Sequence, residues 1–175
     1  SAFRLHGVSF KAGINTESYL YHIDFAAKYG IQYILIDDGW YKNNSVFSPV
    51  ESMDIKKICS YAAQKGVKVL LWVSKGVLGL KPAKAFEYYS QMGVSGFKID
   101  FFDSQDAAMV NRIGMYAEEA AKYHLVLDFH GHSKPVGLNR TWPNVLNFEG
   151  VLGLENVKWS SVDLDLPRND VILPF

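Results

Sequence analysis

Four times along the chain, a helical stretch closes at a turn, a short apolar run follows, and polar residues end that run. The apolar runs are nearly continuous, which is typical of strands that are covered on both faces, as in parallel sheets. Gly30, Gly66 and Gly93 stand where a helix needs a residue that can adopt a positive φ at its C-terminal end. Alternating helices and strands with short links predict an α/β fold built on a parallel sheet. The predicted strands cover residues 31–36, 67–73, 94–99 and 125–127.

The segments between these strands carry helix signals. Asp54 is a predicted N-cap, Pro82 suits the first turn of a second helix, and Ser104 with Asp103 is predicted to cap a third. Apolar residues behind two of these caps recur at helical spacing and predict buried faces. They are Ile55, Ile58, Cys59 and Ala62 in one helix, and Met109, Ile113, Tyr116 and Ala120 in the other.

Two parallel architectures fit this alternation, an open doubly wound sheet and a closed (β/α)8 barrel. No glycine-rich dinucleotide-binding or phosphate-binding loop follows any predicted strand. The sequence therefore lacks the nucleotide-binding motifs that would favour an open sheet. Every strand instead ends in side chains capable of chemistry, and barrels gather such side chains at one face. We therefore predict a TIM-type barrel, here a partial barrel of about six strands, because a complete one takes about 250 residues. Residues 6–10 would form the first strand and residues 145–148 the sixth.

Composition and chain ends narrow the class of protein. Basic and acidic residues balance at 18 each, so neither nucleic acid nor a membrane surface is predicted as a partner. The apolar run Val67 to Val73 is far shorter than the roughly 20 residues of a membrane span. The chain starts abruptly at Ser1. At its other end, residues 171–173 are predicted to begin a strand, and the chain stops at Phe175 before that strand is complete. We expect residues 1–175 to be part of a single catalytic barrel domain within a larger protein.

The residues at the strand ends form a set typical of carbohydrate-active proteins. Carboxylates and amides bind paired sugar hydroxyls, and aromatic faces stack on the C–H surface of a sugar ring. Cleavage of a glycosidic bond needs two carboxyl groups. The set comprises Asp37, Asp38, Trp40, Trp72, Lys75, Lys98, Asp100, Asp103, Asp128, His130, His132, Glu149 and Glu155.

Lys98 and Asp100 are the sharpest local feature of this set. They are two residues apart on a predicted strand, so both side chains face the barrel axis. A cation beside a carboxylate favours its ionised form, which a nucleophile requires. From spacing alone, a structural ion pair inside the barrel is an equal alternative.

Asp37 and Asp38 precede Gly39 and Trp40 at the end of another predicted strand. Adjacent strand residues point to opposite sides, so strand geometry alone brings only one of the two carboxylates into a pocket. A turn at Gly39 could bring in the second. An ordinary acidic turn before glycine is the alternative, and the tryptophan that follows favours a functional interpretation.

Two further pairs end the later strands. With nearby carboxylates, His130 and His132 could bind a transition metal, but no third ligand stands at a defined spacing, which favours hydrogen bonding to substrate hydroxyls. Glu149 and Glu155 flank a glycine-containing stretch that lets both carboxylates face one point. Such a loop could donate a proton, bind a hard cation, or both. Two solvated loop glutamates are the alternative.

Several segments resemble the catalytic domain of glycoside hydrolase family 97. The longest is 134–155, and 37–40, 96–101 and 128–131 follow the same pattern in the same order. The resemblance implies a calcium-dependent α-glycosidase that acts on oligosaccharides. It also implies an N-terminal β-sandwich, the last barrel strands and a smaller C-terminal β-domain outside this chain, and a bacterial periplasmic or secreted location.

The family has two stereochemical branches, and two positions indicate the retaining one. The inverting branch places a base directly after the histidine that matches His130 and lacks an aspartate where Asp100 stands; this sequence has Gly131 and Asp100. The resemblance then implies that Asp100 is the nucleophile and Glu155 the general acid/base. It also implies calcium ligands at Glu149 and Glu155. Positions implied to bind sugar are Asp37, Asp38, Trp72, Lys98 and His130.

We therefore expect a retaining, exo-acting α-glycosidase, most simply an α-galactosidase. The alternatives are an α-glucosidase of the same family and a carbohydrate-binding barrel without catalytic activity. A metal-dependent hydrolase or aldolase that uses Asp128, His130 and His132 is a third alternative.

Overall fold

A five-stranded parallel sheet forms the centre of the computed structural model. The structure describes residues 3–5, 8–10, 13–102, 104–132, 137–151, 153, 156, 168, 171 and 172. The parallel strands are β3 (Tyr33–Ile36), β4 (Lys68–Ser74), β5 (Gly96–Asp100), β6 (Val126–Phe129) and β7 (Val145–Phe148). Their order in the sheet is their order along the chain. A doubly wound sheet reverses its strand order, so this order is that of a barrel segment.

The prediction of the first barrel strand is wrong. Residues 6–10 were expected to join the parallel sheet, but Val8–Phe10 (β2) pairs antiparallel with Phe3–Leu5 (β1) in a separate two-stranded sheet. The apolar run does form a strand at residues 8–10, but its partner precedes it across a short connection. The described part of the chain therefore has five parallel strands instead of about six.

Along the chain, one or two helices connect each parallel strand to the next. Gly30, Gly66 and Gly93 take φ values of 70°, 71° and 94° just after the helices they follow, as predicted. His124 takes the equivalent position after the fourth helical stretch, with φ of 56°. The helices are α1 (Thr16–Lys28), α2 (Ile55–Gln64), α3 (Lys75–Leu78), α4 (Ala83–Gln91), α5 (Ala107–Lys122) and α6 (Leu138–Thr141).

Of the predicted N-caps of α2 and α5, the structure confirms the first and contradicts the second. Asp54 accepts the backbone N–H of Lys57 and caps α2, as predicted. The cap of α5 is Asp106, which accepts the N–H of Met109, so the prediction of Ser104 as the cap is wrong. The Ser104 hydroxyl instead donates to the Asp106 carboxylate and holds it in place. Asp103, the other predicted cap, lies outside the described residues.

The core lies between the sheet and the inner faces of the helices. Ile58, Ala62, Tyr116 and Ala120 are almost completely buried, which confirms the predicted helix faces. Large aromatic side chains fill the space between α4 and β5, where Tyr89 and Phe86 pack on Phe97. Among the described residues, no helix combines the length and apolarity that a membrane span requires.

Candidate active site

The register of the parallel strands places polar side chains in layers. Trp72 on β4 pairs with Lys98 on β5, and Lys98 pairs with Asp128 on β6. One layer further along the strands, Ser74 pairs with Asp100. Residues two apart on a strand share a face, so Lys98 and Asp100 point to the same side of the sheet, as predicted.

A cleft of about 690 Å³ lies at the carboxyl ends of these strands. It brings together all six of the predicted nucleophile and sugar-binding positions, together with one predicted calcium ligand. Two further lining residues, Phe101 and Asn156, were not predicted from the sequence. The lining residues are Asp37, Asp38, Trp72, Lys98, Asp100, Phe101, His130, Glu149 and Asn156.

Asp100 stands at the end of β5, and each of its carboxylate oxygens accepts one hydrogen bond. The indole N–H of Trp72 donates to Oδ2 over 3.0 Å, and the backbone N–H of Phe101 donates to Oδ1 over 2.7 Å. One donor on β4 and one directly after β5 fix the plane of the carboxylate. Phe101 reaches its position with φ of 68°, a left-handed conformation that costs a bulky residue about 1–3 kcal/mol.

Lys98 is paired with a different carboxylate from the one expected. Its ammonium group donates to Asp37 Oδ2 over 2.9 Å, which corrects the predicted pairing with Asp100. The Lys98 side chain is 13% exposed and that of Asp37 is 52% exposed. The ion pair therefore connects a largely buried lysine to a carboxylate at the open edge of the cleft. A lysine side chain is long enough to reach from β5 past β4 to the end of β3.

The turn after β3 brings both aspartates to the cleft. The backbone N–H of Asp38 donates to Asp37 Oδ1, and that of Gly39 donates to Asp38 Oδ1. Gly39 has φ of 97°, and a side chain there would overlap Ile14. The glycine turn therefore supplies the second inward carboxylate that strand geometry alone does not provide.

Trp40 belongs to the support of the site and not to its surface. Its side chain is fully buried, and its indole N–H donates to the backbone carbonyl oxygen of Trp72 over 2.7 Å. The Trp72 ring lies between Tyr41, which is stacked with it, and Phe101, which meets it edge to face. These contacts hold the indole that in turn holds Asp100.

His130 links two carboxylates on neighbouring strands. Its Nε2 lies 3.3 Å from Asp128 Oδ2, and its Nδ1 lies 3.3 Å from Glu149 Oε2. The Asp128 carboxylate raises the pKa of His130 above its ordinary value, and burial and Lys98 oppose this rise. Asn147 donates to the other oxygen of Asp128. The imidazole therefore has a carboxylate on each side.

His132 has surroundings different from those of His130. Its ring packs against Phe102, Phe129 and Phe148, and it is not one of the residues that line the cleft. Within the described ranges, no group of three or more His, Cys, Asp or Glu side chains is placed to hold a metal ion. Asp128, His130 and His132 are therefore not arranged as the three metal ligands of the third alternative.

Gly131 brings the backbone close to the catalytic candidate. It has φ of 60°, and a Cβ there would lie 3.4 Å from both Asp100 Oδ1 and the backbone nitrogen of Phe101. Its N–H donates to Glu149 Oε2 over 3.1 Å. Glycine at this position thus allows the β6 end to lie against Asp100 while it orients Glu149.

Two members of the predicted set lie outside the described residues, Glu155 and Asp103. Asn156, the next residue after Glu155, lines the cleft. Lys75 begins α3 directly after β4. Nothing in the spacing marks Asn156, but Phe101 follows Asp100 directly, and an aromatic residue after a strand-end carboxylate was a usable signal.

A model of the glycoside hydrolase 97 family matches residues 2–151 of the sequence. The chain belongs to this family. Similar proteins include the "Retaining alpha-galactosidase" of Bacteroides thetaiotaomicron, 45% identical over 99% of this chain and 26% of that protein. The "Probable retaining alpha-galactosidase" of Streptomyces bingchenggensis is 32% identical over 77% of this chain and 22% of that protein.

Among solved structures, a crystal structure of a β-arabinopyranosidase superposes on this family 97 chain with a TM-score of 0.73 and 26% identity. The match covers 86% of the chain and 25% of that protein. The chain spans about a quarter of the length of the curated relatives it matches, 26% and 22%. The parallel sheet and its helices are thus a partial TIM-type barrel of a family 97 glycoside hydrolase.

Proposed function

We propose that this chain carries the catalytic cleft of a retaining, exo-acting α-galactosidase that removes terminal galactose from oligosaccharides. The observation that supports the proposal most directly is the position of Asp100. Its carboxylate stands at a strand end in the cleft, and N–H groups of Trp72 and Phe101 hold its two oxygens. A carboxylate fixed in this way is suited to attack a carbon atom placed above it.

In the first step, Asp100 attacks the anomeric carbon of the sugar and forms a glycosyl ester. The glycosidic bond breaks, and its electrons go to the leaving oxygen. Glu155, in its protonated form, gives its proton to that oxygen, so the released sugar leaves as a neutral alcohol. The role of Glu155 rests on the family resemblance; in the sequence it directly precedes Asn156, which lines the cleft.

In the second step, the Glu155 carboxylate takes a proton from water, and the resulting oxygen nucleophile attacks the anomeric carbon. The bond to Asp100 breaks, and the carboxylate is restored. Two inversions leave the released galactose with its original α configuration. In this scheme Asp37, Asp38, Lys98 and His130 bind sugar hydroxyls around the reacting carbon.

Gly131 supports retention over inversion. An inverting enzyme needs a second carboxylate that activates water on the face opposite the leaving group, and the resemblance places that base at position 131. Here Gly131 has a left-handed backbone and lies against Asp100, so a side chain would be strained and its Cβ would contact the carboxylate. A nucleophile at position 100 and a base at position 131 therefore compete for one region.

The relatives support galactose as the sugar. Two curated relatives carry α-galactosidase names, and one structural relative is a β-arabinopyranosidase. In its L form, a β-arabinopyranoside has the ring hydroxyl arrangement of an α-galactoside and lacks only the hydroxymethyl group. An α-glucosidase of the same family is the second candidate, and it differs in the hydroxyl at one ring carbon.

The decisive test uses the full-length parent enzyme and three nitrophenyl glycosides: α-galactoside, α-glucoside and β-L-arabinopyranoside. We expect the α-galactoside to be the best substrate, and proton NMR at early times to show α-galactose as the first product. A preference for glucoside would replace the sugar assignment. Early β-galactose would contradict retention, and sugar binding without release of nitrophenol would indicate a non-catalytic carbohydrate-binding barrel.

Trp72 offers a test of how Asp100 is held. We expect Trp72→Phe to keep the ring between Tyr41 and Phe101 but to remove the N–H that donates to Asp100. Loss of one hydrogen bond to a carboxylate should lower kcat by about 10- to 100-fold with little change in KM. Steady-state kinetics separate the two constants. A raised KM with unchanged kcat would show instead that Trp72 serves sugar binding.

Calcium is part of the same proposal, with Glu149 and Glu155 as its protein ligands. Carboxylate oxygens are the ligands that this hard cation prefers, and Glu149 presents one carboxylate to the cleft. Calcium takes about 6–8 oxygen ligands, so Glu149 alone among the described residues is only part of a site. A bound calcium ion would supply positive charge beside the cleft. Further ligands would come from other parts of the parent protein.

We expect chelation by EGTA to lower the activity of the parent enzyme and added calcium to restore it. Zinc should not restore activity, because zinc prefers nitrogen and sulfur ligands to a site built of oxygen atoms alone. Isothermal titration with calcium should show weaker binding for Glu149→Gln than for the unsubstituted enzyme. Restoration by a transition metal and not by calcium would support the alternative metal-dependent hydrolase.

The parent protein is proposed to carry further domains beyond this barrel segment, a β-sandwich before it and a smaller β-domain after the last barrel strands. The curated relatives are about four times as long as the part that matches, which supports this proposal. We also propose a periplasmic or secreted location, which rests on the family resemblance.

A further inference from the structure

Phe101 combines three properties that rarely occur together in one residue. It has a left-handed backbone, its side chain is 53% exposed, and it lines the cleft next to Asp100. The other non-glycine residues with positive φ in the described ranges are Asn43, Asn44 and His124. Asparagine and histidine adopt this conformation several times more often than other residues, whereas a bulky residue there is an outlier.

The backbone at position 101 accounts for the conformation but not for the ring. The left-handed turn directs the Phe101 N–H to Asp100 Oδ1, a bond of 2.7 Å. Glycine would make this bond without strain. The backbone hydrogen bond therefore gives no reason for a phenylalanine here, and strain at a cleft residue directs attention to a function of the side chain.

The ring of Phe101 is the aromatic surface that the cleft presents to a ligand. Trp72, the other ring of this kind in the lining, is 5% exposed because Tyr41 and Phe101 cover it. Its indole N–H serves Asp100, and little of its surface is left for a ligand. Phe101 meets Trp72 edge to face at 5.8 Å, which leaves the outer part of its own ring open to solvent.

The place of Phe101 in the fold favours one part of the substrate. It follows the last residue of β5 and is more exposed than Asp100, which places it on the solvent side of that carboxylate. In an exo-acting enzyme the sugar to be removed sits at the depth of the reacting carboxylate, and the leaving group extends toward the mouth. We propose that the Phe101 ring forms an apolar platform for the leaving-group sugar and sets the preference for oligosaccharide over small leaving groups; this rests on the proposed α-galactosidase function.

The test compares two substrates of the full-length enzyme, α-galactosyl fluoride and an α-galactosyl disaccharide. The fluoride has no leaving-group sugar, so it does not use the platform. We expect Phe101→Ala to lower kcat/KM for the disaccharide by at least about tenfold, mainly through KM, and to lower that for the fluoride by a clearly smaller factor. Phe101→Tyr should keep the preference for the disaccharide.

Two controls separate the ring from the backbone and from general effects. Phe101→Gly removes both ring and strain and should lose the disaccharide preference to the same extent as Phe101→Ala. Phe47→Ala removes a similarly exposed phenylalanine, 42% exposed, which does not line the cleft, and should leave the ratio unchanged.

Equal losses on both substrates in Phe101→Ala, or a ratio restored in Phe101→Gly, would assign the residue to the support of Asp100 and overturn the proposal. An unchanged disaccharide rate would overturn it as well. Failure of the proposed function has a different appearance: the unsubstituted enzyme would release galactose from neither substrate, and both ideas would fall together.

Discussion

Replacement of Asp100 by glycine is expected to lower kcat for α-galactosides by about 10⁴-fold or more in the parent enzyme. The substitution removes the protein group that is proposed to bond to the anomeric carbon. It also opens space beside Trp72 and Phe101, whose N–H groups then lack an acceptor. Added azide can occupy that space and attack the same carbon. We expect azide to restore turnover and to give β-galactosyl azide, identified by NMR.

The control for this experiment is Asp24→Asn. Asp24 lies on α1 and pairs with Lys65 and Tyr61 at the surface, away from the cleft. It should leave kcat unchanged. Near-normal turnover in Asp100→Gly would remove Asp100 from the mechanism, and an α-galactosyl azide product would show that azide does not enter on the face that Asp100 occupies.

The alternation of strands and helices could be predicted because each element carries its own signal. The glycines after three helices, the Asp54 cap and the buried faces of α2 and α5 depend on local geometry and on a 3.6-residue repeat. The strand at residues 8–10 was also visible as an apolar run. Its pairing was not, because the partner of a strand is decided by the rest of the chain, and here the strand pairs with Phe3–Leu5 instead of joining the barrel sheet.

The sequence predicted most of the residues that line the site, but not which of them contact one another. Period-two geometry placed Lys98 and Asp100 on one face, and the structure agrees. Strand geometry does not decide which carboxylate a long, flexible lysine side chain reaches. Lys98 on β5 donates to Asp37, which follows the end of β3, two strands away. Tryptophan beside carboxylates suggested sugar stacking for Trp72. Its burial and its bond to Asp100 depend on Tyr41 and Phe101, which no spacing rule connects to it.

The close approach of β5 and β6 leaves no room for a side chain at Gly96. Gly96 pairs with Val126, and a Cβ at Gly96 would overlap the backbone carbonyl oxygen of Val126. Backbone cannot rotate away as a flexible side chain can. We expect Gly96→Ala to lower the free energy of unfolding by at least about 3 kcal/mol, or to prevent recovery of folded protein.

Gly114→Ala is the matched control, because the same methyl group is added where the structure has room. Gly114 lies within α5, and nothing stands within 4 Å of a Cβ built there. Alanine is a better helix former than glycine by about 1 kcal/mol, so this variant should be slightly more stable than the unsubstituted enzyme. Urea denaturation of both variants measures the difference. Equal stabilities would mean that β5 and β6 can separate at little cost, and the layer that aligns Lys98 with Asp128 would then not be a rigid support for the cleft.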